Sequence, residues 1–508
     1  MLICMERVYT QSKVREGPVP LPSKIFQGFG SITDSHIQFA FNAVLMIYYN
    51  QLLGVPATSL SLVLVAGLII DAISDPLTGA FSDRLNSRFG RRHLLMYIGA
   101  LPLGIMVFFL FSPPAFLSDS QLVGWLLVSV IGLRLAFTLF HVPWVALAME
   151  LSSDYEERTE IIGWRLVAGW IGGVAFSVGV YTFVFPESSE FPQGVLNPDS
   201  YPDFAVITGI LVTSWCFLTA HLTRREIPFL LQPTEPTNRS LVTMSKQIWP
   251  ALFNPYYRKL VIALLFLAIV NSFGGFFDAL MNTFFWELRS EDLRWFSVAM
   301  FGAALGIYLA VRLPRYYQKQ HIIVAALSVN MILAIVKVSL RFLDWVPDNG
   351  DPMLIWVLAI QEVLHVIVVT MPMTLIPSML ADLSDDQEKR SGERQEGVLA
   401  SMTSFTMKLT SSVGLIAGGL MLDHFIGMPA GAAKAGIAIE SDVLFRLAIS
   451  DGIISSLLLL IPISILATYK MSRGDIEEIQ THNRDKRRIT PRSLIISPED
   501  GAIHGGEE

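Results

Sequence analysis

The 508-residue sequence predicts an all-α, polytopic membrane protein whose twelve transmembrane helices form two six-helix, pseudo-symmetric halves. Three observations carry that prediction. The chain is 52% hydrophobic and only 16% charged, whereas ordinary soluble domains carry about 25% charged residues. Apolar stretches of roughly 20 residues recur along its whole length, each long enough to cross a ~30 Å hydrocarbon layer as a helix. A ten-residue pattern also repeats about half a chain apart.

In order, the expected spans of the first half are 25–53, 58–82, 92–113, 121–150, 158–185 and 202–222. Those of the second are 256–286, 293–313, 320–341, 352–381, 396–422 and 443–469. This divides the chain into a polar segment 1–24, a half 25–222, a linker 223–255, a half 256–470 and a polar tail 471–508. Lys and Arg crowd alternate connections, among them "DRLNSRFGRRH", "RLPRYYQK" and "EKRSGER", whereas "PESSEFPQGVLNPDSYPD" has none. By the positive-inside rule the basic side is cytoplasmic, with both termini there, in the cell's inner (plasma) membrane. The N-terminus has no apolar core of the signal-peptide type, so the first span is expected to direct its own insertion. The net charge of −7 suggests no nucleic-acid partner, and the two cysteines, Cys4 and Cys216, imply no disulfide framework. A monomer is the expected working unit.

The repeat pairs "ELSSDYEERT", from Glu150, with "DLSDDQEKRS", from Asp382. Each copy follows an even-numbered span, so the halves should lie parallel, an architecture that places a solute site between them near the midplane.

The segment "LVAGLIIDAISDPLTGAFSDR" (64–84) poses the chemical question. A carboxylate at the bilayer centre costs about 2.5–3.5 kcal/mol on insertion scales, and here there are two. Asp71 and Asp75 stand at i and i+4, on one helix face, with Ser74 beside them. Two carboxylates and a hydroxyl suit a small hard cation. Without a metal, repulsion and burial would favour a proton on one of them. The alternative is an acid pair neutralised by basic residues of the bundle, with no ion. Lys408 in "SMTSFTMKLTSSVG" and Arg165 in "IIGWRLVAG" also stand within apolar runs and need a partner or a cavity. Arg134, Asp278, Lys337, Glu362 and His365 are further buried ionisable candidates.

"GAFSDRLNSRFGRRHLL" (79–95) resembles the loop motif between helices II and III of the major facilitator superfamily. "DAISDPLTG", "VPWVALAMELSSDYEERT" and "GERQEGVLASMTSFTMKL" resemble its glycoside–pentoside–hexuronide:cation symporter family, the melibiose-permease group. The resemblance implies a cation:solute symporter and no enzyme. It assigns Asp71, Ser74, Asp75 and Thr138 to the site of a coupling ion, Na⁺ or H⁺, with no other cofactor, and Lys408 to coupling beside it. It puts Arg165 in the solute cavity. Where the permease pattern has sugar-binding acids, this chain has Ser35, next to Asp34, and His141. Asp34, His141, Trp144, Arg165 and Asp278 are the expected solute-contacting set. Asp83, Arg84, Arg88, Arg91 and Arg92 are expected to form a cytoplasmic gate. The partners implied are a small-molecule solute (a sugar, glycoside or uronide), a monovalent cation and the bilayer.

Three other readings compete. An amphiphile carrier would share the fold but open sideways to the bilayer. A sensor would keep the fold and lose transport. A CDP-alcohol phosphotransferase shares the Gly-x3-Asp-x3-Asp of "GLIIDAISD", but it needs further aspartates upstream, and residues 42–66 contain none.

Overall fold

A computed structural model describes residues 15, 17–85, 87–152, 154–230, 255–296, 299, 301–391, 396–471, 474–476, 478–479 and 481; the side chains at 155, 381, 384–391 and 396–405 are outside that description. The described residues are helix and loop, with no strand. Most of the expected linker and tail, and the side chains of "EKRSGER", lie outside the described residues.

Helix α1 spans Leu21–Phe39 and continues through π turns at Ala40–Val44 and Ile47–Leu52. Then come α2 (Ala57–Arg84), α3 (Arg91–Phe111), α4 (Asp119–Glu150), α5 (Tyr155–Gly179) and α6 (Tyr201–Thr223). After the linker follow α7 (Pro255–Gly275), α8 (Ser290–Phe296), α9 (Gly302–Arg312) and α10 (Lys319–Phe342). The last are α11 (Pro352–Ser391), α12 (Glu396–Leu420) and α13 (Ser441–Ala448), which helical turns extend to Ala467. Among the described residues ten helices are long and apolar enough to cross a membrane. The chain is a multi-pass membrane protein.

Most boundaries fall within a few residues of expectation; α11 does not. It runs ten residues past the expected end at 381, because "DLSDDQEKRS" offers helix-compatible polar residues and no Gly or Pro before Gly392. The two copies of the repeat therefore differ locally. The first breaks after Glu150 and restarts at α5, where Asp154 Oδ1 accepts from Glu157 N at 2.9 Å as an N-cap.

Helix α2 shows how the acids are oriented. Ile73, Leu77 and Phe81, at i, i+4 and i+8, are exposed along its outer face. Asp71 is only 5% exposed and Ser74 half-buried on the other. An apolar outer stripe suits lipid, and the acids are turned to the bundle interior. α2 packs on α4 and also on α12, so its inner face meets side chains from both ends of the sequence.

Contacts between residues before the linker and residues after it gather at the end away from the basic loops. Asp423 accepts from Ala57 N (3.0 Å) and Thr58 N (2.7 Å), a carboxylate seated on the N-terminus of α2. Gly431 N donates to Asn50 O (2.8 Å) and Gly194 N to Ser290 Oγ (2.9 Å).

Candidate functional site

The centre of the site is Asp75. Thr138 Oγ1, on α4, donates to its Oδ1 at 2.9 Å and lies 3.2 Å from Ser74 Oγ. Lys408, on α12, ion-pairs with its other oxygen. Pro76 follows immediately. It has no N–H, so the helical ladder skips the Ala72 carbonyl, one turn back between the two acids. Carboxylate, hydroxyls and a freed carbonyl make a set of hard oxygens.

Asp71 is held separately. Arg134 Nη1 donates to its Oδ2 at 3.1 Å, and the guanidinium lies 4.6 Å from the centroid of the Phe41 ring. Asp71 Oδ1 has no hydrogen-bond partner among the described residues. The close approach depends on Gly67, where a Cβ would lie 2.9 Å from Val130 Cγ1 and 3.4 Å from Arg134 Cγ. The two acids thus share a face but are not treated alike: one is nearly buried on an arginine, the other half-open on a lysine. Arg134 was visible in the sequence as a charge inside an apolar run. Its spacing of four from Thr138 put it on the same face of α4, but nothing there named Asp71 as its partner.

Next to Asp75 lies a second group. The Arg165 guanidinium sits 4.0 Å from the Trp144 ring centroid. His141 stacks on Phe137 at 4.8 Å and is tilted against Trp144 at 5.4 Å. His141 feels the charges of Asp34, Asp75, Arg165 and Lys408, so these residues share one electrostatic neighbourhood. Trp144 is itself fixed: its Nε1 donates to Gln27 O at 2.7 Å, while Gln27 Nε2 donates to Trp144 O at 3.2 Å. Gly30 makes this possible, since a Cβ there would fall 2.2 Å from Trp144 Nε1. Ser35 points to α5, donating to Gly169 O at 2.9 Å. Asp34, half-buried, is the acid near Arg165.

Asp278 lies apart from this group. It lines a cavity among α7, α10, α11 and α13, with Lys337, Glu362, His365 and Asp451. Asp451 is absent from the residues expected above, although a lone acid in an otherwise apolar span marks it in the sequence.

At the basic end Arg92 gathers three elements. It donates to Glu150 Oε1 (2.8 and 2.7 Å) on α4, to Ser82 Oγ (2.8 Å) on α2, and pairs with Asp83. Arg91 also reaches Glu150, at 2.8 Å. Gly90 starts α3 at φ 81, a left-handed position that favours glycine. Arg88 sits over Phe89 at 4.8 Å. Asp83, Arg91 and Arg92 are brought together; Arg88 stands outside the knot. Arg84 has an interaction of its own.

A helical membrane bundle with charge pairs held in its interior has the make-up of a solute carrier. The chain belongs to the MFS/sugar transport protein family, whose pattern it matches over residues 26–473, and within it to the glycoside–pentoside–hexuronide:cation symporters. It is 25% identical over 492 residues to the uncharacterized symporter YnaJ of Bacillus subtilis, covering 92% of this chain and 96% of that one. It is 22% identical over 416 residues to the isoprimeverose transporter of Lactiplantibacillus pentosus, covering 81% and 82%. Among solved structures it shares its fold with a bacterial homolog of the human lysosomal transporter Spinster, in an inward-facing and unoccupied conformation. That match has a TM-score of 0.61 and 15% identity over 92% of this chain and 97% of that one. The protein is a secondary transporter, not an enzyme.

Proposed function

We propose that this protein is a cation:solute symporter that works by alternating access, coupling Na⁺ or H⁺ to the movement of a sugar, glycoside or uronide. One observation carries the reading: Asp75 is shared between Thr138 of α4 and Lys408 of α12, more than 300 residues further along the chain. An ion that takes the oxygens of Asp75 must displace the ammonium. Occupancy at α2 is then felt by α12, and two ligands that favour one state of such an element are linked. Asp71, Ser74, Asp75 and Thr138 form the ion site in this reading, and Lys408 reports its occupancy.

Asp34, His141 and Arg165 line the solute path, with the buried Trp144 behind them holding the Arg165 guanidinium over its ring. Similarity to the isoprimeverose transporter supports a sugar or glycoside. The division into two six-helix halves at 25–222 and 256–470, with twelve spans and both termini cytoplasmic, completes the architecture. Residues 21–52 supply the first span and α8 with α9 the eighth. The Asp423 and Gly431 contacts support a state closed on the periplasmic side. The Asp83, Arg91 and Arg92 cluster, flanked by Arg84 and Arg88, forms one side of the cytoplasmic gate.

The test is accumulation in proteoliposomes under an imposed Na⁺ or H⁺ gradient, with a solute chosen by a thermal-shift screen of sugars, glycosides and uronates. Asp75→Asn should fold, insert and lose uphill accumulation. Full accumulation by that variant would sink the ion-site reading. A second reading, an amphiphile carrier, draws support from an apolar cavity of about 650 Å³ lined by α8 and α11, with Trp286, Trp295 and Trp356 in its wall. Trp295 and Trp356 are 59% and 70% exposed on the outer surface, where a lipid-like solute could enter sideways.

A further inference from the structure

Asp278, Lys337, Glu362 and Asp451 pose a problem that the coupling site does not solve. They come from the turn just after α7, from α10 and α11, and from the turns that extend α13, and line one cavity of about 370 Å³. Among the described residues none of the four makes a hydrogen bond or ion pair. His365 alone is tied down: its Nδ1 lies 2.7 Å from Asn330 Oδ1, so Nδ1–H donates there and Nε2 is left for the cavity. The Asp278 side chain is exposed to this space. Unpaired charges inside a transmembrane bundle are costly to keep and mark pathways and sites rather than scaffold.

The charges are unequal. Three acids face one amine, so even with one acid protonated the balance of charge favours a cation over an anion. Its size narrows the occupant. A water takes about 30 Å³ of liquid, so a bare ion or proton would occupy a small part of the space and leave the rest to water. Small-molecule sites run from about 300 Å³ upward. The wall also carries amides, Asn282 and Gln361, suited to hydroxyl groups. A neighbouring cavity of about 330 Å³ shares Asp278, Asn282, Phe296 and Glu362 and extends to Asn42 and Tyr181 before the linker. The charged space therefore abuts one that reaches the other helices.

We propose that this cavity is a second solute-binding site, which takes a small polyhydroxylated molecule bearing a protonated amine. The amine sits among Asp278, Glu362 and Asp451, and the amides take the hydroxyls. The inference rests on the transporter reading but not on the Asp75 site, and it puts a cationic sugar ahead of a uronate as the solute held here.

The probe is glucosamine, against N-acetylglucosamine, which keeps the ring and loses the charge, and glucuronate, which reverses it. Binding is measured calorimetrically on the purified full chain at neutral pH, in sodium and in choline chloride. Glucosamine should bind roughly tenfold or more tighter than N-acetylglucosamine, and glucuronate weakest. Asp278→Asn/Glu362→Gln should remove that preference, and the single variant Asp451→Asn, held to the parent's melting temperature, should reduce it. Asp75→Asn should leave it intact, which separates this site from the coupling site. Equal affinity for glucosamine and N-acetylglucosamine would overturn the proposal. So would undiminished glucosamine binding by both variants, or simple competition by Na⁺, which would mark a metal-ion site instead.

Discussion

Replacing Lys408 by alanine tests the coupling argument most directly. The substitution removes one half of the Asp75–Lys408 pair and leaves the carboxylate with Thr138 alone. Breaking a fully buried pair costs about 3–5 kcal/mol, and an exposed pair is worth about 0–1 kcal/mol. Here the two side chains keep 28% and 33% of their exposure. The interaction lost is therefore intermediate, about 1.5–3 kcal/mol, which is about 10- to 150-fold in an equilibrium constant. The sign matters. The ammonium competes with the coupling ion, so its loss should tighten ion binding by about that factor. The same loss uncouples α2 from α12, so uphill accumulation should fall to the level of equilibration while solute exchange persists. Lys408→Arg should restore little, because a planar guanidinium does not replace a compact ammonium. Two measurements are needed on protein at matched expression: ion affinity by titration and solute accumulation under an imposed gradient. Accumulation equal to the parent's would refute the reasoning. Ion affinity that is unchanged or weaker would refute the competition step.

Arg134→Ala should destabilise the fold by about 3 kcal/mol, because Asp71 would be left nearly buried without its partner, and Asp71→Asn in the same chain should recover much of that loss; melting in detergent measures both. Gly30→Ala should cost about 1–3 kcal/mol by overpacking against Trp144 and should alter tryptophan emission, whereas Gly163→Ala, with open space around its Cβ position, should be silent in both measurements. For orientation, Ser188→Cys should react with an impermeant thiol reagent added outside and Ser87→Cys should not, in a background with Cys4→Ser; reversed labelling would overturn the charge-based topology.

Much of the fold was legible because the bilayer imposes a one-dimensional rule. A span must satisfy its own backbone polar groups and present apolar side chains for about 20 residues, and both features can be read along the chain. The extension of α11 beyond the apolar run escaped that rule, since a polar helix outside the hydrocarbon layer has no hydropathy signal. The site was legible as far as one helix reaches. Asp71, Ser74 and Asp75 share a face by spacing alone, and Lys408 and Arg165 stand out as charges inside apolar segments.

Partnership was decided only by the tertiary structure. Arg134 belongs to Asp71 and Lys408 to Asp75, across 63 and 333 residues. Either cation could have matched either acid by charge, and packing settles which can reach. The same holds for Trp144, whose ring is fixed by Gln27 and by the missing Cβ of Gly30. It holds most for the charged cavity. Asp278, Lys337, Glu362 and Asp451 lie on four helices, each reading alone as one costly residue in an apolar span. Hydropathy determined that this chain enters a membrane, because transfer free energy sums along a segment. Which charges meet inside it depends on helix rotation and crossing, set by side-chain contacts between segments far apart in the chain.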